Sequence, residues 1–368
     1  MDYIKEKLKS IKIKNNSLKD FYKLIKKEYD KVKINIENIE FLPTNNVMDT
    51  NTLTNSRFFS KEVLNYVQKH LINCLVINCG SNTQIHFFTE HTTPNSISED
   101  VIGILNNICK IVLIMRSLFH NEKYLKIQYF DCKLKKLFPK KKGAILTENN
   151  CNSGLSYVTN YYMIVYRREE FRRVMIHEIF HSFLGDYSLI DIEHNKDLSR
   201  YFCLEDDNNI NINETYTESL ATIINLLFTM LENGDPENKL DDMFRNELAY
   251  STLVMVSILR HYGYTSIEEL KRVDGKKCKI LHQRTSVFNY YILKPFMLIN
   301  IDDLLKLTLS GECSKKFVFS EMSLCLNVFY QLILQNFENK PFQQLVDVLV
   351  KNKKIKTNSL SMVFYKGR

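Results

Sequence analysis

Three features of the sequence predict an α+β fold, with a mixed α/β lobe first and a mainly helical lobe after it. Up to residue 185, amphipathic helical stretches alternate with short runs rich in Val, Ile, Phe and Tyr. From residue 213 onward nearly every apolar run has helical spacing. Only ten Gly and six Pro interrupt 368 residues, which favours long helices over a many-stranded sandwich.

Taken in order, residues 1–40 form a basic N-terminal segment, in which Ser17 is placed to cap a helix Leu18 to Val32 with one apolar stripe. Pro43 to Arg57 is Asn/Thr-rich and reads as a surface connection. An α/β lobe spans 41–185. In it, Ser60 caps a helix running to about Leu71, and Cys74 to Asn78 with Gln84 to Thr89 form a hairpin around Gly80-Ser81-Asn82. Ser98 to Phe119 is a long helix, Lys126 to Cys132 a strand, residues 142 to 156 a flexible rim, and Tyr157 to Tyr166 one strand, either an edge that takes peptide or an interior one. The third segment, 186–368, opens with an acidic loop or lid as far as Ile212. Helices are expected there at about 213–232, 238–262, 266–272, 284–297, 301–309, 320–337 and 341–350.

The net charge of +8 favours acidic partners, yet no nucleic-acid module can be read. Nine scattered cysteines without a C-x-x-C read as free thiols of a reducing compartment. The polar, charged N-terminus is no secretory signal, and the longest apolar run, Ser219 to Leu231, is thirteen residues, too short for a membrane span. The expected setting is intracellular, in cytoplasm or nucleus or in a virion assembled there.

The chemistry is concentrated in Arg168 to Gly185, which contains His177-Glu178-Ile179-Phe180-His181. This is H-E-x-x-H. Four residues apart on a helix, His177 and His181 project from one face and can share a metal ion, while Glu178 stands where it can take a proton from a water. Phe171, Val174, Met175, Ile176, Ile179, Phe180, Phe183 and Leu184 make the helix apolar nearly all round, hence buried, with Gly185 as its stop. Buried histidines and an acid need partners, and zinc supplies them.

A catalytic zinc takes three protein ligands. Downstream, Asn213-Glu214-Thr215-Tyr216-Thr217-Glu218 opens a helix with Glu214 and Glu218 on one face, so one carboxylate can bind zinc and the other accept a ligand histidine's second N–H. Asp191 and His194 are further choices. The metzincin pattern is excluded, because Leu184 and Tyr187 stand where Gly and His are required.

On H-E-x-x-H and the downstream Asn213, Glu214 and Glu218 the chain resembles the gluzincin zinc metallopeptidases, whose thermolysin-like members carry N-E-x-x-x-D. It is also loosely similar to uncharacterised H-E-x-x-H proteins of large DNA viruses. The resemblance implies a zincin-like fold, zinc held by His177, His181 and Glu214, and Glu218 in support, with Glu in place of the family's Asp. It implies hydrolysis of peptide bonds by a zinc-activated water with Glu178 as general base, and His261, in the sequence RHYGY, as an assisting catalytic group. The partner implied is a protein or peptide substrate. The competing expectation is a structural or virion-associated protein whose metal only stabilises, and the presence of Glu178 speaks against it, since a structural site needs no general base.

Overall fold

The computed structural model describes the chain except for residues 14, 35, 49–52, 55, 57, 58, 94–96, 185, 187, 188, 190, 205–209, 274, 276, 277, 310–321, 367 and 368, and except for the side chains of 37, 38 and 322–325. The α+β class holds, in two compact units. One comprises Leu24–Lys135, Asn152–Gly185 and Lys366–Arg368; the other comprises Met1–Lys23, Lys136–Cys151 and Asp186–Tyr365. Tyr187, the expected stop Gly185 and the acidic Glu205-Asp206-Asp207 lie outside the described residues.

The first unit carries a six-stranded mixed sheet in the order β1-β2-β3-β4-β6-β5. The strands are β1 (Glu37–Pro43), β2 (Asn73–Asn78), β3 (Thr83–Thr89), β4 (Leu125–Phe130), β5 (Gly154–Tyr157) and β6 (Tyr162–Tyr166). β3, β4 and β6 run parallel, and the pairs β1/β2, β2/β3 and β5/β6 are antiparallel. Alternation of side chains gives the sheet two apolar faces. Phe88, Phe130, Ile164 and Tyr166 pack with Val63 and Val67 of the helix Lys61–His70, whose first turn is capped by the Ser60 hydroxyl accepting from the Val63 amide at 3.0 Å. On the other face Tyr129 meets Phe171 of the H-E-x-x-H helix, ring centroids 5.8 Å apart. Phe119, ending the helix Glu99–Phe119, meets Phe180 of the same helix at 5.1 Å.

Several expectations are corrected here. Tyr157 to Tyr166 is not one strand: the chain turns through Val158–Asn160 and Tyr161 (φ 46°), so β6 is interior and β5 forms the edge. The rim 142–156 contains the helix Glu148–Cys151 and β5. β1 was not expected at all, although Ile39 and Phe41 alternate with polar neighbours. Glu99–Phe119 is long and apolar enough to cross a membrane, but 61% of its most apolar stretch is buried in the fold, as in a core helix.

The second unit is mainly helical. Ile212–Asn233 and Leu240–His261 are its long helices, joined by Lys294–Ile299, Ile301–Leu309, Met322–Phe337 and Lys340–Lys351. The lid expected over 186–212 contains the helix Ile192–Tyr201, with Asp191 as its cap. The helix expected at 266–272 is a short 3-10 turn, Ile267–Leu270. The one expected from Leu18 begins at Asn16, and the Ser17 amide donates to Asp302 Oδ1 at 2.7 Å instead of the Ser17 hydroxyl capping the helix. Residues 284–297 are a π-helical turn, Phe288–Leu293, followed by Lys294–Ile299. Pro295 explains the widening: it offers no N–H to the carbonyl of Tyr291, and its ring needs the space a wider turn provides. Cys203 and Cys278 form a disulfide, contrary to the expectation of nine free thiols, while Cys74, Cys79, Cys109 and Cys132 are free and buried.

Candidate metal centre

The H-E-x-x-H helix spans Phe171–Ser182 and is buried along nearly its whole length, as its apolar sequence requires. It ends in a left-handed residue, but that residue is Leu184 (φ 61°). His177 and His181 bring their Nε2 atoms to 3.0 Å, with the rings nearly perpendicular at 78°. Two imidazole nitrogens on a tetrahedral zinc, each ~2.05 Å from the ion, stand about 3.3 Å apart. The observed spacing therefore fits a shared ion with only a small adjustment of either ring.

Glu178, buried beside this pair, is fixed by the edge strand of the sheet. The Ser156 hydroxyl donates to Glu178 Oε2 at 2.7 Å, and the Ser182 hydroxyl to Ser156 Oγ at 3.4 Å. Two residues earlier, Gly154 permits the approach: a Cβ there would lie 2.6 Å from Glu178 Oε1 and 2.7 Å from Val174 Cγ1. Neither residue is legible in the sequence. Their role depends on the β5/β6 register, which sets Ser156 opposite Met163 and brings alternate β5 residues to the helix.

The carboxylate helix, Ile212–Asn233, begins in a polar lattice. Asp186 Oδ2 accepts from Asn213 Nδ2 at 3.0 Å and from the Thr217 hydroxyl at 3.1 Å, and Asn289 Nδ2 donates to Asn211 O at 2.7 Å and to Thr215 Oγ1 at 2.8 Å. These bonds fix the first two turns, where Glu214 and Glu218 stand. Glu214 Oε2 accepts from the Tyr290 hydroxyl at 3.1 Å, so the π-helical turn orients this carboxylate. Glu218, wholly buried, pairs with Lys294 Nζ at 3.3 Å. Neither Tyr290 nor Lys294 is singled out by a sequence motif.

His177 and His181 offer two imidazole nitrogens from the sheet unit, and Glu214, the third ligand expected from the sequence, stands in the first turn of the carboxylate helix of the helical unit. Two imidazoles and a carboxylate are a donor set of catalytic zinc. Asp191 and His194, the other expected choices, serve each other: Asp191 Oδ1 accepts from the His194 amide at 2.8 Å, which holds its carboxyl below the usual range. His194 Nε2 meets Asn327 Oδ1 at 2.8 Å. His261 donates from Nε2 to the Ala144 carbonyl at 2.7 Å and packs against Phe138, which gives it a structural place at the end of its helix.

Comparison of the chain with known protein families, with curated proteins and with solved structures finds no match.

Proposed function

We propose that the chain is a zinc-dependent peptidase with a zincin-like arrangement of its sheet and H-E-x-x-H helix. The observation that carries this reading lies within one helix and one strand: two imidazole nitrogens 3.0 Å apart, with the carboxylate of Glu178 beside them held by Ser156 at 2.7 Å. A purely structural metal site has no use for that carboxylate.

His177 and His181, with Glu214 as the third ligand expected from the sequence, would hold the metal. A zinc ion bound there would polarise the scissile carbonyl and lower the pKa of an attacking water. Glu178 accepts the proton of that water and delivers it to the leaving amine. Ser156 keeps the Glu178 carboxylate in one rotamer through both transfers. Tyr290 donates to Oε2 of Glu214 and so orients the carboxylate that would bind the metal. Among the described residues, the edge position of β5 leaves main-chain groups of that strand without a neighbouring strand, and such groups bind extended peptide with little regard to sequence.

The test has two arms. Native mass spectrometry of zinc-reconstituted protein should give one zinc per chain, and a peptide library should be cleaved in a chelator-sensitive way. Zinc without cleavage would reject the peptidase and keep the metal; a stoichiometry near zero would reject both.

A further inference from the structure

A second site, unrelated to the H-E-x-x-H helix, lies wholly within the helical unit. A cleft of about 530 Å³ opens at the C-terminal ends of the helices Leu240–His261 and Lys340–Lys351. Lys142, Lys351, Lys353 and Lys356 line it, and among the described residues no carboxylate does. All four lysines are exposed, and among the described residues none has an acidic partner.

The segments bearing these lysines are fixed by two consecutive residues. Arg260 spends its guanidinium on backbone carbonyls: Nε donates to Val350 O at 2.7 Å, and the terminal nitrogens to the carbonyls of Leu349, Asn352 and Ile355. It thereby caps the helix Lys340–Lys351 and shapes the turn holding Lys353 and Lys356. His261, donating to Ala144 O, anchors the loop of Lys142. Four like charges held around one concavity repel one another, and a compact anion relieves that repulsion.

We infer that this cleft binds a small molecule carrying two or more phosphate groups. The volume is that of a small-molecule pocket. Lysine meets phosphate as a point charge, and the several oxygens of each phosphate can accept from more than one ammonium group. Val350 and Tyr264 give the cleft an apolar floor for the remainder of the molecule. A nucleic-acid strand would call instead for an extended basic groove with a series of stacking platforms.

Isothermal titration of the full chain with tripolyphosphate and with ATP tests the inference. One saturable site is expected, weakening as salt is raised. The variant Lys351→Gln/Lys353→Gln/Lys356→Gln, altered only at exposed positions, should bind about tenfold more weakly or worse while its thermal unfolding is unchanged. No saturable heat from either probe would overturn the inference, as would a triple variant that binds as tightly as the parent. A single-stranded oligonucleotide that binds tightly and is not displaced by tripolyphosphate would assign the lysines to nucleic acid, and a hexaglutamate peptide binding as well as ATP would assign them to acidic peptides. Peptide hydrolysis is not among the readouts, so these outcomes do not depend on the zinc reading.

Discussion

At the scale of single residues, the consequences follow from what holds Glu178. On the proposed peptidase reading, Glu178→Gln keeps size and hydrogen bonding but removes the base, so hydrolysis should disappear while zinc stoichiometry by native mass spectrometry stays at that of the parent. Loss of zinc in this variant would mean that Glu178 is itself a ligand. Ser156→Ala removes the 2.7 Å bond and frees the carboxylate, and kcat should fall by roughly ten- to a hundredfold with zinc retained. An unchanged kcat would show that the metal and substrate orient Glu178 without help. Gly154→Ala acts differently, because the new methyl must displace Val174 and Glu178 at contacts of 2.6 to 2.8 Å. Overpacking of this kind costs about 1–3 kcal/mol, measurable as a lower denaturant midpoint at constant m-value.

At the scale of elements, the two glutamates of the carboxylate helix separate by what each touches. Glu214→Ala should lower zinc affinity severely in a titration against a competing chelator. Glu218→Ala leaves the Lys294 ammonium, only 2% exposed, without its carboxylate 3.3 Å away, so its larger effect should be a loss of about 3 kcal/mol of folding stability. If Glu218→Ala is the more damaging to zinc, the assignment of the ligand is reversed. What could be read from the sequence at this scale was whatever is local. Ser60 caps the helix it was expected to cap, and the i, i+4 spacing put the two histidines together. The hairpin of β5 and β6 escaped because Tyr and Val crowd both sides of its short turn, and the left-handed position falls on Tyr161, one residue after Asn160, rather than on a Gly or Asn. The helix Ile192–Tyr201 escaped because only Leu198 among its apolar residues is buried, too weak a stripe to detect. Ser156, Gly154, Tyr290 and Lys294 act across strand register or between helices, and no spacing along the chain encodes that.

At the scale of the whole molecule, the last stretch of chain is bound into the helical unit by buried polar groups. The Tyr291 hydroxyl donates to Leu360 O and Asn225 Nδ2 to Tyr365 O, while Glu247 accepts from the amides of Phe364 and Tyr365. Burial pushes the Glu247 carboxyl up to about 7, with the Glu218 charge adding to the rise and the Lys294 ammonium and the two amides opposing it. Raised above its unfolded value, this group holds more protons in the folded state. Its contribution to stability is therefore complete below the ordinary carboxylate range and is lost as the pH climbs through about 7. Urea denaturation of the parent should accordingly show a falling unfolding free energy between about pH 5 and 8, by up to roughly 3 kcal/mol from this residue alone. The informative quantity is the difference from Glu247→Gln, in which contributions common to both proteins cancel. The glutamine oxygen can still accept the amides of Phe364 and Tyr365 but cannot ionise. The difference between the two proteins should shift in favour of Glu247→Gln as the pH rises; parallel curves would mean that Glu247 is ionised in the folded protein throughout, held so by Lys294.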